Sequence, residues 1–271
     1  MPPFRESPSV ALDRVANFRD LGGHTTRAGA RVRFGQLFRS GHLAHASAAD
    51  LTQLAGLGLQ RVFDFRTLAD IKEEGADRVP EGASHLRLPM PDPARDDDLR
   101  AILTSTPRSE LKELLGDGKA VAMMVHAAEG LVRDRREPYC EFMTELSRAE
   151  SYPALFHCSA GKDRAGWAGT VILLALGVEP EQVVEQYLLS NRNLASIRQR
   201  LEAPSGQLEA PPGQEWDLGG LLMPFLEVRR EYIEASFAAL RADWGDFDRY
   251  LHEGLGITRA QRAQIEEQLL E

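Results

Sequence analysis

Residues 157–166 read His-Cys-Ser-Ala-Gly-Lys-Asp-Arg-Ala-Gly, a cysteine and an arginine separated by five residues. Five intervening residues can curl into a semicircle with successive backbone N–H groups turned inward. Such a nest at a helix N-terminus is an anion site sized for a tetrahedral oxyanion. Arg164 can fork onto two oxygens of that anion, which the point charge of a lysine does not match. The inward amides, the positive end of the helix dipole and Arg164 all favour thiolate over thiol at Cys158. A thiolate at the bottom of such a cradle is a nucleophile aimed at phosphorus. In-line displacement would give a phosphocysteine, which water then hydrolyses. Ser159, Ala160, Gly161, Lys162, Asp163 and Arg164 are expected to surround the bound phosphate. Amides and Arg164 neutralise its equatorial oxygens, so this chemistry calls for no metal and no cofactor.

To work, the loop must stand between a strand and a helix. Residues 154–157 are a short apolar strand pattern running directly into Cys158, and 164–176 is an apolar helix pattern ended by Gly177. Strand-to-helix turns are where parallel α/β proteins place their ligands. Upstream, 31–38 alternates as a short β element, and 47–58 has a helical Ala/Leu pattern that starts at a Ser N-cap and ends at glycine. Residues 59–65 and 85–88 read as strands, with a polar stretch at 66–75. The charged segment 94–136 has helical periodicity at 110–115 and 121–131; it reads either as an inserted helical lid or as a solvated surface excursion. Helical patterns recur at 137–148, 180–197, 227–240, 246–253 and 259–270, and 203–220 reads as a loop. Strands separated by helical patterns predict an α/β fold, a mainly parallel sheet flanked by helices. No repeat or Gly/Ser linker divides the 271 residues, so one domain is expected, with 221–271 packed on the same body.

Composition narrows the function. Hydrophobic residues make up 43% and charged residues 27%, which is globular usage. The net charge of −9 disfavours general nucleic-acid binding, and an anionic substrate would require positive potential concentrated in a cleft. The longest nearly apolar run, 167–178, is too short to cross a bilayer. The first residues lack an apolar segment of signal-peptide length, and two cysteines, Cys140 and Cys158, suit a reducing compartment. Cytoplasmic residence is the expectation. His24, His42 and His45 lack the i,i+4 spacing of a helical metal pair, so no metal is expected. No G-x-x-x-x-G-K-[ST] motif supports nucleotide-dependent phosphoryl transfer.

The run HCSAGKDRAG resembles the signature loop of the cysteine-dependent C-x5-R phosphatases. NFRDLGG (17–23), GQLFRSGHL (35–43), VFDFRTLAD (62–70), RLPMPDP (87–93), EQYLLSN (185–191) and WGDFDRYLHEGLGI (244–257) are similar, in order, to segments of the bacterial protein tyrosine/serine phosphatases of the mycobacterial tyrosine phosphatase B type. This resemblance spans nearly the whole chain. It implies the tyrosine-phosphatase fold with a helical lid, hydrolysis of phosphate monoesters, Cys158 as nucleophile and Arg164 as the phosphate-binding arginine. Asp92, between two prolines, matches the family position proposed for the general acid, the alternative being a turn-forming residue beside the acidic run 96–98. Asp163 competes for that role, because related lipid phosphatases place a loop aspartate there. The AGKDR pattern is also similar to phosphoinositide phosphatases, in which a loop lysine engages extra ring phosphates. Lys162 is therefore expected to add a cation at the rim. Ala165 departs from the family, which usually has a hydroxyl residue there that helps release the sulfur. The departure implies slow breakdown of the phosphoenzyme, or a substitute such as Ser159.

The substrates implied are phosphotyrosine, phosphoserine or phosphothreonine in proteins, or phosphoinositides, with inorganic phosphate as product. Relatives exported without an obvious signal make non-Sec secretion the alternative to cytoplasmic residence. Two other readings stand beside hydrolysis. One is a phosphate-binding pseudophosphatase. The other is an arsenate reductase or sulfur transferase, which would need resolving cysteines beyond Cys140. Around the loop, His157 is expected as a buried hydrogen-bonding partner that tunes the thiolate. Asp64 and Arg66 are expected to support the cradle from a strand end. Asn17, Arg19 and Asp20 are expected to make structural hydrogen bonds near it.

Overall fold

A five-stranded sheet in the order β1-β2-β5-β3-β4 carries the molecule, antiparallel between β1 and β2 and parallel elsewhere. The computed structural model describes residues 12–91, 108–194 and 218–271. Asp92, the first part of the 94–136 segment and residues 203–217 lie outside them. In chain order the strands are β1 (Arg19–Asp20), β2 (Leu37–Ser40), β3 (Arg61–Asp64), β4 (Ser84–Arg87) and β5 (Ala154–His157). The helices are α1 (Ala48–Gly56), α2 (Leu68–Glu74), α3 (Arg108–Leu115), α4 (Lys119–Arg133), α5 (Arg136–Leu146), α6 (Arg164–Ala175), α7 (Pro180–Asn193), α8 (Leu218–Leu226), α9 (Arg230–Trp244) and α10 (Arg259–Leu269). A helical turn at Phe247–Arg249 runs into a π-turn at Tyr250–Gly254.

β5 is central and every one of its residues is buried, as a parallel strand covered on both faces must be. Its register with β2 and β3 sets Ser40 and Asp64 level with His157. Three strands therefore end together, immediately before Cys158. α6 follows the loop and is apolar nearly all round, the pattern of a helix enclosed by protein; its residues from Arg164 to Leu173 are buried. Phe63, Phe65, Phe142 and Phe156 pack ring against ring between the sheet and α5.

Some sequence expectations move. The polar stretch at 66–75 contains helix α2, started by a capping box in which Thr67 and Asp70 satisfy each other's backbone N–H. The alternating run at 31–38 is not one strand: Val32 makes an isolated bridge to Leu270, and the strand proper is Leu37–Ser40. Residues 218–220 belong to helix α8 rather than to a loop. The described part of the 94–136 segment is a packed layer and not a solvated excursion. Leu111, Leu115 and Ala120 meet Leu222 and Phe225 of α8, and Met124 and Ala128 meet Tyr232 of α9.

Candidate active site

Between β5 and α6 the loop 158–163 is held from outside by its carbonyls. His42 N–H donates to the Ser159 carbonyl at 3.0 Å. Asn17 Nδ2 donates to the carbonyls of Ala160 (3.2 Å) and Gly161 (2.8 Å). Arg39, fully buried, donates from Nε to Gly161 O and from NH2 to Lys162 O, both at 2.9 Å. The carbonyl of Asp163 accepts the Trp167 amide at 2.9 Å. Among the described residues, the N–H groups of Ser159, Ala160, Gly161 and Lys162 bond to no acceptor. Carbonyls taken up on the outside and amides left to the inside are the arrangement of an anion nest. Gly161 permits the curl: its φ is +67°, and a Cβ there would stand 2.2 Å from the Ser40 carbonyl oxygen.

Cys158 opens the loop as a free, buried thiol, and Arg164 closes it as the first residue of α6. The Arg164 guanidinium is fully buried and braced from several directions. NH1 meets Asp70 Oδ2 at 2.8 Å and the Met90 carbonyl at 3.1 Å, and NH2 donates to Ser159 Oγ at 3.0 Å. Tyr139 Oη donates to the Arg164 carbonyl at 3.0 Å. Asp70 is thus both the capping residue of α2 and the partner of Arg164. Burial pushes its carboxyl up, but Arg164 and the Thr67 bonds win and hold it below the ordinary value.

Behind the loop lie two further guanidiniums, Arg39 buried and Arg19 half-buried. Arg39 also reaches Gln186 Oε1 and Ser190 Oγ, each at 3.3 Å. Arg19 bonds the side chain and carbonyl of Asn17, the Gln186 carbonyl and Ser190 Oγ. Burial lowers Arg39 to about 10, opposed by negative charge at Cys158 and Asp163, so it is cationic at neutral pH. Burial, with Arg39 and Arg192 nearby, also lowers Arg19.

On the β3 side, Asp64 chelates Arg66 through Nε and NH2, and Arg66 reaches Asp77 at 2.8 Å. His157 is fully buried, with Nε2 3.0 Å from Asp77 and Nδ1 3.2 Å from the Cys158 carbonyl. Asp64, Asp77, His85 and His157 gather ligand-type atoms within 4.8 Å, a different group from the histidines considered in the sequence. The guanidinium of Arg66 already lies against both carboxylates.

Two expected members stand elsewhere. Lys162 is buried, and its ammonium is turned away from the rim: Nζ donates to the carbonyls of Phe225 (2.7 Å) and Glu227 (3.2 Å) and pairs with Asp163 at 3.2 Å. These three contacts use all of its donors. Asp20 accepts the amides of Gly22 (2.7 Å) and Gly35 (2.6 Å), a turn-fixing role, whereas Asn17 and Arg19 reach the loop and its props. Asp163 borders a small cavity of about 10 Å³ with Met124, Trp167, Tyr187 and Tyr232. Ala165 is fully buried, and Ser159 Oγ, which accepts from Arg164, keeps its own proton to donate. Sequence reasoning missed Arg39, Asp70, Asp77, Tyr139, Gln186 and Ser190. Only Asp70 carried a local signal, the Thr-x-x-Asp capping pattern.

A cysteine and an arginine bracketing an amide nest, at the carboxyl edge of a mainly parallel sheet, form a site whose geometry suits a tetrahedral oxyanion. The Tyrosine phosphatase family profile matches residues 10–271. A Cupriavidus necator protein named as a candidate tyrosine-protein phosphatase is 36% identical over 262 residues, covering 93% of this chain and 86% of its own. The triple specificity protein phosphatase PtpB of Mycobacterium tuberculosis is 30% identical over 263 residues, covering 90% and 92%. A tyrosine-protein phosphatase of Nostoc commune is 26% identical over 241 residues, covering 85% and 73%. The chain belongs to the tyrosine phosphatase family, and it is a phosphatase.

Proposed function

We propose that the chain hydrolyses phosphate monoesters, phosphotyrosine foremost, through a phosphocysteine on Cys158. The observation that carries this reading is the loop itself: carbonyls bonded outward by Arg39, Asn17 and His42, free amides within, and Arg164 fixed by Asp70 and Ser159. The Cys158 sulfur, as thiolate, attacks phosphorus in line with the leaving oxygen. The S–P bond forms as the P–O bond breaks, and the leaving oxygen takes a proton from an acid. Amides and guanidinium hold the charge on the equatorial oxygens. Water then displaces the sulfur, returning its proton to the acid and releasing inorganic phosphate.

Asp92 is the acid in this account. It follows Met90 by two residues in the sequence, and the Met90 carbonyl accepts from Arg164 NH1. Asp163 fits a different task, pairing with Lys162 beneath α8 and α9. The committed ammonium of Lys162 gives no support to a second phosphate subsite at the rim. Phosphoserine, phosphothreonine and phosphoinositides stand as further proposed substrates; the mycobacterial relative is named a triple specificity protein phosphatase. The test is Cys158→Ser with p-nitrophenyl phosphate. Turnover should vanish while vanadate or phosphate still binds. Retained turnover would end the proposal.

A further inference from the structure

The mechanism above makes no use of Asp77, yet its side chain is fully buried in the floor of the site. Asp77 Oδ1 accepts the Leu43 amide at 2.7 Å and lies 2.8 Å from Arg66 NH2. Its Oδ2 lies 3.0 Å from His157 Nε2 and 3.5 Å from His85 Nε2. The approach to His157 is a close ion pair rather than a linear hydrogen bond. The other ring nitrogen, Nδ1, faces the Cys158 carbonyl at 3.2 Å, an acceptor it can meet only as N–H. A histidine with an acceptor carbonyl at one nitrogen and a carboxylate at the other is set to carry both protons.

The charges around it lead to the same state. His157 is faced by Asp64 and Arg66 from β3 and the turn after it, and by Asp77 beyond α2. His85 of β4 and Glu74 of α2 flank this group, and His42, after β2, is near enough for the two imidazoles to affect each other. The side chains of Asp64, Asp77 and Arg66 are all fully buried, two carboxylates to one guanidinium. One further positive charge balances the core of the cluster, and the imidazolium of His157 supplies it.

We propose that Asp77 is a positioning residue for the phosphatase reaction: it holds His157 as an imidazolium behind the nucleophile, fixing the Cys158 carbonyl and keeping a positive charge one residue from the sulfur. The proposal rests on the phosphatase reading above. Titration directions agree with it. Burial lowers His157, but its contact with Asp77 and the charges of Asp77 and Asp64 outweigh burial and raise it above its ordinary value. Asp77 in turn is held well below the usual carboxylate range, by His157, His85 and Arg66 against the opposing effect of burial. A raised histidine stabilises the fold below the unfolded value, and that contribution is lost as pH rises through the folded value.

The test reads the proton and the reaction separately. In ¹⁵N spectra of the wild type, assigned with the aid of His85→Gln, His157 should remain doubly protonated at neutral pH. In Asp77→Asn it should lose one proton at a pH lower by about one unit or more. Between the two His157 midpoints, alkylation of Cys158 by iodoacetate should be severalfold slower in Asp77→Asn than in wild type, because the lost imidazolium no longer favours thiolate, and Asp77→Glu should restore it. A wild-type His157 that titrates near ~6.5, the value for an unperturbed imidazole, would overturn the proposal. So would a folded Asp77→Asn protein whose Cys158 is alkylated at the wild-type rate across that interval. Should Asp77→Asn not fold, the wild-type titration and Asp77→Glu still decide. A wild type without turnover would instead sink the phosphatase reading, leaving the His157 titration to report on the ion pair alone.

Discussion

Arg39 places a full positive charge in the interior, and among the described residues neither it nor Arg19 has a carboxylate within ion-pair distance. Its partners are the Gly161 and Lys162 carbonyls, a Gln oxygen and a Ser hydroxyl, all neutral. A buried charge bonded directly only to dipoles is costly unless negative charge lies near, and beside Asp163 the loop calls for an anion. In the proposed reaction that anion is the occupant of the loop, first sulfur and then phosphate. The planar fork of Arg39 meets two successive carbonyls with two nitrogens in a fixed relation, a geometry that the single nitrogen of a lysine does not reproduce. Arg39→Lys, which keeps the charge, is therefore expected to lower kcat/KM about 10²-fold through a misplaced loop. Circular dichroism should show the fold retained. A variant with wild-type kcat/KM would show that the outward carbonyls do not depend on this side chain.

Lys162 acts on the scale of elements, tying the loop to the connection between α8 and α9 through Phe225 O and Glu227 O. Phe225 itself packs into the contacts of α3, α4 and α9. The loop and the outer helical layer are thus joined by one ammonium. Lys162→Met is expected to speed amide hydrogen exchange in residues 218–227 while leaving β5 and α6 unchanged; unaltered exchange there would mean that apolar packing alone seats α8. This element also shows the limits of sequence reading. A lysine in a loop of anion-binding type invites a rim position, and only the fold reveals carbonyls 63 and 65 residues away that take its protons. The strand into Cys158, the helix after Arg164 and the capped helix from Ser47 were legible because each is set by local patterning. α2 was not, since it is short, leaves Leu68 exposed while burying Asp70, and its capping box is its one local mark. Arg39 and Asp77 were illegible for another reason: their roles arise from strand register, which sets Ser40, Asp64 and His157 in one row.

At the scale of the whole molecule, a chain of net charge −9 offers a phosphate dianion little general attraction. The structure answers by concentration. Arg19, Arg39 and Arg164 converge on one loop at one sheet edge, and Arg19 and Arg39 are spared the carboxylates that pair most surface arginines. Among the described residues Arg164 pairs with Asp70, whose position is fixed in turn by a helix cap. No helix among the described residues is long and apolar enough to cross a membrane. In the proposed reaction the sheet, the buried α6 and the outer helices together keep the geometry of residues 158–164 while the P–O bond is broken, which would be catalysis by preorganisation.

The most direct test of this account is to look for phosphate on sulfur. Wild-type protein mixed with a near-stoichiometric aryl phosphate and denatured rapidly into alkali should yield a peptide phosphorylated at Cys158, formed at least as fast as the enzyme turns over. Its breakdown should be slow, because Ala165 offers no hydroxyl to the departing sulfur, and Ala165→Thr should shorten its lifetime. Release of inorganic phosphate with Cys158 unmodified throughout the first turnover would contradict the account.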